Sequence, residues 1–146
     1  QHLNYLLKKR EYKKPIFLMG RSLGSASVLE VVQKFQAEVG GVIIESGFAY
    51  VEPLFKLLGI NPKQLGLNHK NILDHISKIK NYFGPLLIIH AKNDQIINFN
   101  EGFDLYQNSL SKIKSNYWVN EAHHNNIIQI MGLEYFNLIQ KFLYDN

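Results

Sequence analysis

The amino-acid sequence predicts an α/β domain built on a mostly parallel sheet with helices on both of its faces. Short apolar runs alternate along the chain with longer segments in which apolar residues recur at helical spacing. Within the runs, consecutive residues are apolar, which is typical of strands buried on both faces of a parallel sheet. The chain has 146 residues, 46% of them hydrophobic, and this is enough for one domain with its own core.

Four apolar runs predict the strands of this sheet. They comprise residues 16–19, 42–44, 86–89 and 117–119. Helical spacing follows the first, third and fourth runs, and the last of these segments predicts one closing helix over residues 128–142. Gly40-Gly41 predicts a break before the second strand, and residues 48–84 are irregular apart from a helical segment at 72–79. Because catalytic groups gather at the carboxyl ends of parallel strands, the residues just after each run are the functional candidates.

The residues before the first strand predict the end of a helix, with Leu3, Leu6 and Leu7 on one face. They lack the apolar core of a signal peptide, and no stretch of the chain approaches the roughly 18 apolar residues of a membrane span. The chain has no cysteine, which excludes disulfides and cysteine-based zinc sites and fits a reducing compartment. We therefore expect a cytoplasmic location.

The charge pattern argues against a nucleic-acid partner. The 16 basic and 12 acidic residues give a net charge of +4, and the basic residues are scattered except for a cluster at residues 8–14. A nucleic-acid surface needs a basic stripe interleaved with stacking aromatic residues, whereas a solvated helix end explains this cluster equally well.

The turn after the first strand carries the strongest chemical signal. Its sequence is GRSLG (residues 20–24), with Ser22 between two glycines and between a strand and a helix. A serine on such a turn projects its hydroxyl from the sheet, and the flanking positions pass close to neighbouring backbone, which predicts a need for glycine at both. The helix N-terminus adds positive charge where an oxyanion would form. The alternative is a glycine-rich turn with a helix-capping serine, but the strand before it and the helix after it favour a nucleophile.

Two later strand ends offer the partners that a serine nucleophile needs. Asp94 follows the third strand in a loop, and His123 and His124 lie between the fourth strand and the closing helix. Taken singly, Asp94 is an ordinary turn residue and the histidines are polar loop residues. The order serine, aspartate, histidine, each after a successive strand, is the order of α/β-hydrolases. The histidines lack the spacing of a metal pair and have no ligand cluster beside them, so we expect no metal.

The chain resembles the C-terminal half or more of a serine α/β-hydrolase, and most of all the small, nearly capless subgroup of esterases that includes protein depalmitoylases. The similarity runs from about residue 14 to residue 143. The motifs that carry it are IFLMGRSLGSASV (16–28), IIESGF (43–48), PLLIIHAKNDQIINF (85–99) and EAHHNNI (121–127). The family usually has Gly-His-Asn-Asp around its base, which matches His124, with His123 at the glycine position. Ala91 also stands where the family has glycine.

The resemblance implies hydrolysis of an ester or thioester by Ser22, His124 and Asp94, without a cofactor. Leu23 would donate one oxyanion-hole hydrogen bond through its backbone N–H. Glu45 is a rival acid, because some α/β-hydrolases take theirs after the preceding strand, and the fuller match of the acid loop favours Asp94. Two alternatives remain open: a serine peptidase of the oligopeptidase type, and a hydrolase-like fragment that binds without catalysis.

The segment after the second strand supplies candidates for an acyl pocket, and we expect more of them to be core than pocket. These residues are Phe48, Tyr50, Leu54, Phe55 and Leu58.

The family's first four strands have no counterpart in the sequence, and neither does the loop that usually gives the second oxyanion donor. We therefore expect residues 1–146 to be an N-terminally incomplete single domain. We also expect the open edge of the first strand to pair with residues upstream of Gln1 or with another copy of the chain.

Overall fold

A computed structural model of the chain describes residue 5 and residues 15–61 and 74–146. In these residues, four parallel strands form one sheet in the order β1-β2-β3-β4. The strands are β1 (Ile16–Arg21), β2 (Val39–Glu45), β3 (Leu86–Ala91) and β4 (Lys114–Val119). The predicted α/β class with a parallel sheet is confirmed, and each strand is longer than its apolar run.

The helices are α1 (Gly24–Phe35), α2 (Val51–Leu57), α3 (His75–Lys80), α4 (Phe99–Asn108), α5 (Ile127–Met131) and α6 (Leu133–Asp145), with a short 3-10 turn at Gln36–Glu38. Ile44 and Ile88 point to the face covered by α1, α3 and α4, where they join one core cluster. Ile43 and Leu87 point to the opposite face and join the cluster that includes Phe142 of α6. Because successive side chains of a strand alternate between faces, the continuous apolar runs fill both cores.

Two sequence-based boundaries are wrong. Gly40 and Gly41 lie inside β2. Glycine is needed at residue 41 because a Cβ there would lie 2.9 Å from the ring of Phe17. The single closing helix is two helices, because Gly132 has φ +56° and ψ −127°, a conformation almost confined to glycine. The break leaves Ile128 about half exposed, although it was expected on the buried face.

The described residues bear on three other expectations. The helical segment predicted at 72–79 begins as α3 at His75, and residues 72–73 lie outside the described part of the chain. The predicted N-terminal helix face of Leu3, Leu6 and Leu7 also lies outside it. Among the residues that are described, β1 pairs with β2 alone and so forms one edge of the sheet. None of the described helices has the length and apolar character to span a membrane.

Candidate active site

Ser22 occupies a strained turn between β1 and α1. Its φ is +52°, a left-handed conformation that side chains other than glycine adopt at a cost. The turn is fixed by its hydrogen bonds: the Ser22 N–H donates to the Glu45 carbonyl at 2.9 Å, and the Ser25 hydroxyl donates to the Ser22 carbonyl at 2.7 Å. The end of β2 and the first turn of α1 therefore hold the strained residue from both sides.

The two glycines of the turn differ in their surroundings. A Cβ at Gly20 would lie 2.6 Å from the Gly24 carbonyl oxygen and 2.8 Å from a methyl group of Val28, so a side chain does not fit there. The same expectation for Gly24 is wrong within the described part of the chain, where no atom lies within 4 Å of its added Cβ. The close approach at this turn is that of Gly20 to the start of α1.

His124 lies between Ser22 and Asp94. Its Nε2 is 3.1 Å from Ser22 Oγ, and its Nδ1 is 2.7 Å from Asp94 Oδ2. A carboxylate oxygen accepts only, so Nδ1 carries the proton and Nε2 has a free lone pair facing the serine hydroxyl. His124 and Asp94 are both buried. The structure thus brings together the three residues that the strand-end pattern selected, from three separate loops.

Asp94 is held in place by the backbone of its own loop. Its Oδ1 accepts the N–H groups of Ile96 at 2.9 Å and Ile97 at 2.8 Å, which leaves Oδ2 for His124. The neighbouring His90 donates from Nε2 to the Ile97 carbonyl at 2.9 Å, and burial lowers the pKa of His90. His90 Nε2 also lies 3.6 Å from Asp94 Oδ2, too far for a hydrogen bond, so a neutral His90 bonds to the Ile97 carbonyl and leaves Oδ2 to His124.

The two rival residues lie elsewhere. His123 is exposed, and its backbone N–H donates to Asn126 Oδ1 at 2.7 Å. The Glu45 carboxylate accepts from Arg21 Nε at 2.9 Å and from the Tyr135 hydroxyl at 2.5 Å. In this geometry Asp94 is the carboxylate that reaches the His124 ring, and Glu45 is engaged by other partners.

The residues predicted to form an acyl pocket divide between core and surface. Phe48 and Leu54 are buried in a cluster with Ile97, and Phe55 packs against that cluster. Tyr50 and Leu58 are exposed. The cavity lined by Phe48, Tyr50 and Leu54 has a volume of about 20 Å³, room for a water molecule and not for an acyl chain. The described residues therefore do not enclose an acyl pocket here.

Sequence reasoning missed two residues that organise the site. Glu101 is buried on α4, and its carboxylate accepts the N–H groups of Ala49 and Tyr50, each at 2.8 Å. Burial is the main cause that raises the pKa of Glu101. Arg21 precedes the serine and donates to the main-chain carbonyl of His124. Apart from the position of Arg21 inside the GRSLG turn, no local pattern in the sequence marks either residue.

Two larger cavities lie among the described residues. One of about 270 Å³ adjoins His124 and Arg21, and one of about 480 Å³ lies near Lys114 and Leu138, with Lys114 at the amino end of β4. Among the residues that the structure describes, no group of three potential metal ligands is close enough to hold an ion.

Comparisons with known proteins bear on the fold. No family model matches the chain. Over 129 residues, 88% of the chain, the sequence is 26% identical to Alpha/beta hydrolase domain-containing protein 17C of Xenopus tropicalis. An esterase of Pyrococcus furiosus superposes with a TM-score of 0.80 at 17% identity, over 99% of this chain and 59% of the esterase. An acylaminoacyl peptidase superposes with a TM-score of 0.79 at 18% identity, over 98% of this chain and 26% of the peptidase.

These similarities confirm the α/β-hydrolase fold and the resemblance to α/β-hydrolases noted in the sequence. The chain spans 38% of the length of the Xenopus relative. The two solved structures are 17% and 18% identical to this chain in sequence, so they establish the fold alone, and the chemistry has to be argued from the site.

Proposed function

We propose that the chain carries the catalytic centre of a serine hydrolase that cleaves an ester or thioester through an acyl-enzyme. The observation that carries the proposal is the hydrogen-bonded series from Ser22 through His124 to Asp94. A serine hydroxyl is a weak nucleophile until a base removes its proton, and His124 Nε2 is within reach of that proton. Asp94 stabilises the positive charge that then forms on the imidazole.

The reaction follows from these roles. Ser22 Oγ attacks the acyl carbon while its proton passes to His124 Nε2. The oxyanion that forms lies at the start of α1, where the Leu23 N–H is the proposed donor and the helix dipole is favourable. His124 then gives its proton to the departing alcohol or thiol, which leaves an acyl-Ser22 ester. A water molecule activated by His124 hydrolyses this ester and restores the serine. No step needs a cofactor.

The exposed side chain of Leu23, next to Ser22 in the chain, favours an apolar acyl group beside the elbow. In this proposal, the described part of the chain forms the C-terminal portion of a larger hydrolase domain. The second oxyanion donor and the rest of the acyl site come from residues outside the described part. A cytoplasmic location remains part of the proposal, and rests on the absence of cysteine.

A second candidate is a serine peptidase of the oligopeptidase type. It is favoured by the acylaminoacyl peptidase, whose fold matches as well as that of the esterase. The proposed triad suits both reactions, since each passes through the same kind of acyl-enzyme. The distinction lies in the leaving group and in the residues that contact it.

The test uses the intact protein and a panel of an acyl thioester, a short-chain ester and a dipeptide amide. We expect turnover of the ester or thioester and its loss in Ser22→Ala, with the exposed Ser27→Ala on α1 as the matched control. Preference for the dipeptide would support the peptidase. Turnover that survives Ser22→Ala would contradict both, and absence of turnover with all three would favour a binding fragment.

A further inference from the structure

We propose that Arg21 is a positioning residue that sets the place of the catalytic base, and that Glu45 and Tyr135 hold Arg21 in position for it. This inference rests on the proposed function, because it assigns the geometry of the His124 loop to a side chain outside the triad. Arg21 is the last residue of β1 and stands directly before Ser22 in the chain.

One guanidinium joins three parts of the site. Arg21 Nε donates to Glu45 Oε1 at 2.9 Å, which ties the end of β1 to the end of β2. Nη2 donates to the main-chain carbonyl of His124 at 2.5 Å and to Asn125 Oδ1 at 3.1 Å. The backbone of the base is thereby bonded to the residue next to the nucleophile, so the Nε2–Oγ separation depends on the Arg21 side chain.

Glu45 is buried, so its carboxylate needs hydrogen-bond partners within the protein. A buried carboxylate is stable only when its charge is paired and its oxygens are hydrogen-bonded. Arg21 supplies the cation on one oxygen, and the Tyr135 hydroxyl donates to the other at 2.5 Å. Burial and the neighbouring Glu45 raise the pKa of Tyr135, so the phenol keeps the proton that it donates. The guanidinium is therefore oriented by an anion that is itself fixed from α6.

The geometry needs arginine and not merely a positive charge. The planar fork of a guanidinium donates in two fixed directions at once, towards Glu45 and towards the His124 carbonyl. A lysine ammonium at the same position is a point charge on a flexible stem and would not hold both acceptors in register. Displacing a reacting group by about 1 Å can cost about 10²-fold in rate. Loss of the fork is thus expected to lower kcat while KM changes little.

The cavity next to Arg21 makes a rescue experiment feasible. Its volume is about 270 Å³ and its lining includes Arg21, Glu45, His124 and Asn125, so truncation at residue 21 leaves a space open to small solutes. In the intact protein, Arg21→Ala should lower kcat by about 10²-fold. Ethylguanidinium at millimolar concentration should restore part of kcat, and ethylammonium should not. Arg21→Lys should remain impaired, and Lys34→Ala, which removes an exposed cation from α1, should be unaffected.

A second readout separates this inference from the proposed function. Amide hydrogen exchange of residues 120–126 should speed up in Arg21→Ala whether or not the protein is a hydrolase. An inactive wild type with this faster exchange would refute the hydrolase and keep the Arg21 contact. An active wild type with unchanged kcat in Arg21→Ala would overturn the positioning role. Equal rescue of kcat by ethylguanidinium and ethylammonium would overturn it too. If Arg21→Ala does not fold, Tyr135→Phe replaces it with a several-fold fall in kcat expected, and an unchanged kcat there would overturn the role.

Discussion

Replacing Ser22 by glycine should leave the protein more stable than replacing it by alanine, while both changes abolish the proposed activity. Ser22 has φ +52°, and a left-handed conformation costs a residue other than glycine roughly 1–2 kcal/mol. Glycine removes that cost, but its greater freedom in the unfolded chain returns about 0.4–1 kcal/mol. Ser22→Ala keeps the Cβ and therefore the strain. The glycine variant should consequently be more stable than the alanine variant by about 1 kcal/mol.

The assay is thermal unfolding of the two inactive variants in the intact protein. A difference of about 1 kcal/mol corresponds to a rise of roughly 2–8 °C in Tm, depending on chain length. Ser27, exposed at the fourth position of α1, gives a control of opposite sign, because glycine within a helix is less stable than alanine by up to about 1 kcal/mol. If glycine is the less stable residue at both positions, Ser22 does not occupy a strained turn and the elbow geometry is refuted.

Three further predictions concern the residues around the elbow. Gly20→Ala should cost about 1–3 kcal/mol of folding stability, since its Cβ would lie 2.6 Å from the Gly24 carbonyl oxygen, whereas Gly24→Ala should not destabilise; denaturant unfolding checks both. Asp94→Asn should lower kcat by about 10⁴-fold in ester turnover and Glu45→Gln by much less, and the reverse ranking would make Glu45 the acid. Burial raises the pKa of Glu101 above its ordinary value of 4.5, so the protonated carboxyl stabilises the folded state at low pH, and this contribution is lost as pH rises through the raised pKa. Over that rise in pH, the Tm of the wild type should fall relative to the Tm of Glu101→Gln, and parallel curves of Tm against pH would contradict the prediction.

The parts of the fold that sequence predicts are those with a local chemical signature. Consecutive apolar residues identified every strand in the described sheet, because burial on both faces excludes polar side chains. Ser22, Asp94 and His124 could be selected because each follows a strand, and parallel strands bring such positions to one edge. Their positions after strands carry this information, although Asp94 lies 72 residues beyond Ser22 in the chain and His124 lies 30 residues beyond Asp94.

Other features depend on contacts that no local pattern encodes. A glycine inside a helical pattern is often tolerated, so the break at Gly132 follows only from its observed φ. The partners of Glu45 lie 24 and 90 residues away along the chain, and the sequence gives no sign that they meet. Core and pocket residues share the same apolar chemistry, which is why Phe48 and Leu54 could not be told from an acyl site before their burial was seen.

A nucleophilic Ser22 activated by His124 should react with an active-site serine probe. The measurement is to incubate the intact protein with a fluorophosphonate probe and to locate the adduct by mass spectrometry. We expect rapid modification of Ser22, loss of that modification in His124→Ala, and near-normal labelling in His123→Ala. An unmodified Ser22, or a label that survives His124→Ala and disappears in His123→Ala, would contradict it.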